Sequence, residues 1–128
     1  MEQSEIIADM IAKLRFLPLG YALTLLAETP VLLLALSRRH SWRRRLAASL
    51  WLNACSYPFV ILVFPTVISS RLIYIWVAET FAPLSECALF TIAYREGRSY
   101  CDLSLWQDWA AIVAANLCSF GLGVWLFR

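Results

Sequence analysis

Charge is scarce in this chain. Only 16% of its 128 residues are Asp, Glu, Lys or Arg, 61% are hydrophobic, and the mean hydropathy is +0.66. A soluble domain sits near a quarter charged and half apolar, so almost no chain is left over for one. Histidine is reduced to His40, which lies in an arginine-rich connection and is expected to be solvated. That shortage removes the imidazole ligands of zinc and copper sites and the base that a serine nucleophile needs. The four cysteines, Cys55, Cys87, Cys101 and Cys118, form no C-x-x-C. In a membrane a thiol is usually a small apolar packer, and nothing nearby supplies the lowered pKa of a redox relay. No secretory signal is expected, because EQSEIIADMIAKLR is acidic before it is basic and the next apolar run carries Glu28 and Pro30.

What is abundant is apolar sequence, in four blocks at about 17–37, 46–64, 72–93 and 108–127, each near the ~20 residues that span a bilayer as helix. The expected fold is all-α: a four-helix transmembrane bundle over 16–128. An interfacial amphipathic helix over 1–15 precedes it, with Ser4 as N-cap and Ile6, Ile7, Met10, Ile11 and Leu14 on one side. The first connection, SRRHSWRRR, holds Arg38, Arg39, Arg43, Arg44 and Arg45, and the third adds Arg95 and Arg98, whereas the second has only Arg71. Basic residues of short loops stay cytoplasmic, so both termini are expected outside, in an inner membrane. Trp42, Trp106 and Trp109 near one edge and Tyr74, Trp76 and Trp125 near the other suit aromatic belts. The five-arginine loop is read as a lipid-headgroup contact, not as a nucleic-acid site, since no chain remains to build a recognition surface.

Within the apolar blocks a pattern repeats. LAASLWLNACSYP (46–58) aligns with WAAIVAANLCSFG (109–121), matching Ala-Ala, Asn, Cys, Ser, an aromatic, and then Pro or Gly. A glutamate precedes each, Glu28 in LLAETPVLLLAL and Glu86 in PLSECALFTIAY. The chain therefore reads as a tandem repeat of two helical hairpins, whose even number of spans puts the pseudo-twofold axis along the membrane normal. At ~1.5 Å per residue, Glu28 lies ~15 Å from Arg38 and Asn53 ~12 Å from Arg45, with Glu86 and Asn116 at similar depths. Four polar side chains, one per helix, converge on one layer.

An acid at the centre of a span costs ~2.5–3.5 kcal/mol on insertion scales, so it faces the bundle interior and finds a partner. Asparagine is the obvious one, since its amide donates to a carboxylate, and two carboxyls in one small site titrate as a coupled pair. Glu79, seven residues before Glu86, falls on nearly the same stripe ~10 Å further outward. Pro83 frees the carbonyl of Glu79, Pro30 that of Leu26 and Pro58 that of Ala54, while Ser56 and Ser119 are placed to bond back to a helix or across to another. The candidate ion- or proton-binding set is thus Glu28, Asn53, Glu79, Glu86 and Asn116. Its all-oxygen character suits a hard cation such as Mg²⁺, Ca²⁺ or Mn²⁺, or no metal at all. The blander reading makes the same side chains interhelical clasps worth ~0.6 kcal/mol each.

At AETP, NACSYP, AETFAPLSE and ANLCSFGLG the sequence resembles a group of short four-span bacterial membrane proteins. In that group an intramembrane Glu-x-Pro, an Asn with a following Pro, a Glu pair seven apart and a terminal Asn-x-x-Ser recur in this order. The resemblance covers most of the chain after the N-terminal segment. It implies the membrane fold and the residues singled out, and it carries no established activity. Tyr57 stands where related chains tend to have histidine, which speaks against a metal-binding or proton-shuttling imidazole. Small drug exporters also carry a first-span glutamate, but they rest on one such acid per chain and lack the paired asparagines. Two functions remain: a proton- or cation-conducting transporter or channel subunit, self-associated as a homo-oligomer, or an accessory subunit docking a partner membrane protein through small-residue surfaces such as AASLWLNA and GLG. An intramembrane enzyme comes third, for want of a nucleophile and base pair.

Overall fold

The computed structural model describes residues 2–126, and among them only helices and connections form. Helix α1 runs Gln3–Ala35, α2 Trp42–Pro58, α3 Phe64–Val67, α4 Arg71–Tyr94 and α5 Leu103–Leu126, with a π-helical segment Phe59–Val63 joining α2 to α3. Three stretches, Pro18–Ala35 of α1, α4 and α5, are long and apolar enough to cross a membrane. This is the composition of a multi-pass membrane protein. α2 alone does not qualify, being 17 residues that open on three arginines. The π segment and α3 nevertheless continue it, so residues 42–67 rise ~40 Å at ~1.5 Å each.

The separate N-terminal helix expected over 1–15 is not separate. α1 is helical for 33 residues with Pro18 and Pro30 inside it, ~50 Å at ~1.5 Å per residue. The segment before Pro18 is rich in helix formers and holds no glycine to stop it, and a proline deprives a helix of one N–H without ending it. Ile6, Ile7 and Ile11 stay exposed on this extension. Met1, Phe127 and Arg128, which end the expected first helix and last span, lie outside the described residues, as do the side chains of Met10 and Leu14.

Local signals set the other ends. Ser41 caps α2 by accepting from the Arg44 N–H at 3.2 Å, and Ser70 caps α4 by accepting from the Ile73 N–H. After α4 the chain turns through two left-handed residues, Glu96 (φ 53°) and Gly97 (φ 77°). Glycine takes the second without strain, and Glu96 is held in the first by ion pairs to Arg39 and Arg44. Asp102 opens α5: its carboxylate accepts from the Ser104 hydroxyl and N–H at 2.7 and 2.8 Å, which holds its pKa below the ordinary aspartate value.

α1 packs on α2 and α5, and α4 packs on the same two, so α1 and α4 face each other diagonally. The core fills one half of this ring, with Leu32 and Leu36 from α1, Ala48 and Leu52 from α2, Phe90 from α4, and Ala111, Ile112 and Ala115 from α5. The alanines let the backbones approach closely. By position along each helix these residues lie between the glutamate–asparagine layer and the arginine-bearing connections. That end of the bundle is closed. Phe90→Ala should cost about 3–5 kcal/mol and lower the unfolding temperature in detergent clearly. Leu34→Ala, at a side chain 85% exposed on the outer surface of α1, should leave it nearly unchanged.

Candidate functional site

Inside the bundle the two central glutamates are bonded crosswise. Glu86 on α4 accepts from Ser56 of α2 at 2.7 Å and from the Asn116 amide of α5 at 2.6 Å. Glu28 on α1 accepts from Ser119 of α5 at 2.7 Å, and the Asn53 side chain of α2 adjoins its carboxyl. Each acid thus meets the asparagine of its own helical hairpin and the serine of the other. The asparagines are steadied alike, Asn53 donating to the Ser49 carbonyl and Asn116 to that of Ile112, both at 2.9 Å. Glu28, Asn53, Ser56 and Glu86 are all 4% exposed or less. A side chain that deep needs its hydrogen bonds met inside the protein, yet Oε2 of Glu28 has no hydrogen-bond partner among the described residues.

Glu28 lines a cavity of about 420 Å³, whose lining residues run from the glutamate layer to Arg71. All five candidate residues, Glu28, Asn53, Glu79, Glu86 and Asn116, line it, as do Ser56 and Ser119. Glu79 is half-buried and stands nearer the mouth, as its spacing along α4 implies. Pro30, Pro58 and Pro83 are not among the lining residues. Pro58 acts at one remove: the π segment follows it directly, and the Tyr74 hydroxyl donates to the Val60 carbonyl in that segment at 2.8 Å. Both Val60 and Tyr74 face the cavity. A π-helical stretch beside a site is a common functional marker.

Among the described residues no three His, Cys, Asp or Glu side chains gather closely enough to ligate a metal ion. The Mg²⁺, Ca²⁺ or Mn²⁺ set expected from the sequence is therefore not assembled. Glu79 stands apart from Glu28 and Glu86 along the cavity.

The arginine connection also differs from the expected headgroup patch. Arg38 and Arg43 are exposed, Arg43 lying 5.5 Å over the Trp42 ring. Arg39 and Arg44 pair with Glu96. Arg45 turns back on the end of α1 and donates to the carbonyls of Leu33, Ser37 and His40 at 2.6, 3.1 and 3.1 Å. His40 is not solvated but 2% exposed. It lies 3.0 Å from Oδ2 of Asp108 with its ring edge-on to Phe90 and Tyr94.

Asp108 is the residue that sequence reasoning missed. It is fully buried, accepting from the Ser37 N–H at 2.7 Å on one oxygen and from Arg98 at 2.8 Å, beside His40, on the other. Arg98 spends its remaining donors on Ser104 and on the carbonyls of Arg95 and Tyr94. A signal was available: Asp108 precedes Trp109-Ala-Ala as Arg45 precedes Leu46-Ala-Ala, so an acid faces the basic connection at an equivalent place in the aligned segments.

Family models, curated proteins and solved structures were each compared with this chain, and none matches it. The site therefore rests on its own geometry.

Removing one partner of a buried charge pair strands the other, typically at about 3–5 kcal/mol. Asp108→Asn should destabilise the protein on that scale in thermal or SDS unfolding, and Arg98→Met added to it should recover part of the loss. At the other cluster, Asn116→Ala and Glu86→Gln should couple in a double-mutant cycle by about 0.6–2 kcal/mol.

Proposed function

We propose that this chain is a small carrier of the bacterial inner membrane, passing protons or a cation by way of Glu28, Asn53, Glu79, Glu86 and Asn116. The bacterial setting is the one the resemblance implies. In this reading the helical stretch 42–67 is the fourth span and the two hairpins, α1–α2 and α4–α5, are duplicated units. The arginine-bearing connections lie inside, so the cavity opens outward.

One observation carries the proposal. An ionisable side chain at the floor of an open-ended cavity, Glu28, keeps an oxygen with no hydrogen-bond partner among the described residues, and ionisable groups inside membranes mark ion and proton routes by default. The closed half of the bundle supports a carrier over an open channel, since a packed core stands between the glutamates and the far end. The crosswise bonding supports a rocking motion of one hairpin against the other, because each glutamate shares its hydrogen bonds between the two halves.

Reconstituted in liposomes, the protein should carry a proton or monovalent-cation flux that falls to the level of protein-free vesicles in Glu28→Gln and Glu86→Gln, and falls less in Glu79→Gln. Equal flux in all four proteins would leave the polar layer a clasp and turn the reading to an accessory subunit. Orientation is checked separately by a membrane-impermeant maleimide on intact cells: Ser70→Cys should label, and Cys101, in the connection between α4 and α5, should not.

A further inference from the structure

The ligand class follows from counting what the cavity still offers. Several of its donors are engaged: Ser56 and Asn116 on Glu86, Ser119 on Glu28, one N–H of Asn53 on a backbone carbonyl, and the Tyr74 hydroxyl on Val60. What remains at the floor is an acceptor, Oε2 of a Glu28 that is 1% exposed and has no partner among the described residues. A ligand that brings an N–H meets that acceptor. The charge along the cavity points the same way, with three carboxyl side chains against the one guanidinium of Arg71 at the mouth.

A bare metal ion fits poorly. Mg²⁺ and Ca²⁺ take ~6–8 oxygen ligands, no metal-binding group of acids forms here, and a cavity of about 420 Å³ is within the ~300–1,000 Å³ of small-molecule sites. Above the acid floor the walls are largely apolar, with Leu23, Val60, Ile75, Phe120 and Val124 among them, and Tyr57 also lines it. An aromatic face attracts a cation. Apolar walls reward a ligand that brings apolar surface of its own.

We infer that the cavity binds an organic ammonium with an apolar body, its N–H groups on Glu28 Oε2 and its hydrocarbon along the shaft toward Arg71. The inference deepens the carrier reading by naming the cation, and it rests on that reading only for what happens after binding.

The test is thermal unfolding of the purified full chain in detergent with 2-phenylethylammonium chloride. The neutral 2-phenylethanol, NaCl and MgCl₂ serve as comparisons at matched ionic strength. The ammonium should raise the unfolding temperature progressively with concentration, as a ligand of the folded state must, and the alcohol and salts should not. Glu28→Gln, which keeps an oxygen for Ser119, should abolish the shift. So should Ala82→Phe, which narrows the cavity and keeps every acid. Equal protection by the alcohol would mean apolar filling alone and overturn the inference. So would protection by Na⁺ or Mg²⁺ without the ammonium, or an undiminished shift in both variants, or no shift from any of the four. Protection by the ammonium with no flux in liposomes would refute the carrier and keep the binding site. Proton flux with no ammonium protection would do the reverse.

Discussion

A carboxyl group set among membrane helices cannot be bonded by backbone N–H groups, which the helices have already used, so side chains of neighbouring helices must supply its donors. The rest of this structure follows from that requirement. The acids stand on α1 and α4, the two helices that face each other diagonally, and the donors stand on α2 and α5, which touch both. With placement costing ~2.5–3.5 kcal/mol and an interhelical hydrogen bond returning ~0.6–2, one donor per acid is not enough. Glu86 has two. Glu28 has one full hydrogen bond, an adjoining amide and an oxygen without a partner among the described residues.

The opposite end of the bundle treats charge differently. Asp108 fills both its oxygens, Arg98 and Arg45 commit each of their nitrogens, and the connection between α1 and α2 is tied to the start of α5 through the Ser37 backbone. A buried charge network of this kind adds little net stability over apolar packing, but it tolerates no missing member. It fixes how the helix ends meet. Between the two polar layers lies the block of tight apolar packing formed by Leu32, Leu36, Leu52, Phe90 and Ile112 with Ala48, Ala111 and Ala115.

Within the helices, the π-helical irregularity lies in the cavity half. Pro58 ends regular α-helix in the second rod, the π segment takes over, and a tyrosine from α4 satisfies a carbonyl there. In the closed half the same rod is regular α-helix from its Ser41 cap.

The sequence by itself determined the helical class, the apolar spans over α1, α4 and α5, and the polar positions Glu28, Asn53, Glu79, Glu86, Asn116, Ser56 and Ser119. Each of these is written in local composition: a polar residue within an apolar run has to turn inward wherever the helix goes. Only the tertiary structure decided which donor meets which acid, that Glu28 keeps an oxygen with no partner among the described residues, and that one half of the bundle closes while the other opens. It alone also showed that His40 and Arg98 are buried beside Asp108. In the sequence those residues look like an ordinary charged connection, because their partner is an aspartate some sixty-eight positions from His40. Charge runs in loops are read correctly by composition only when nothing distant in sequence folds back to meet them.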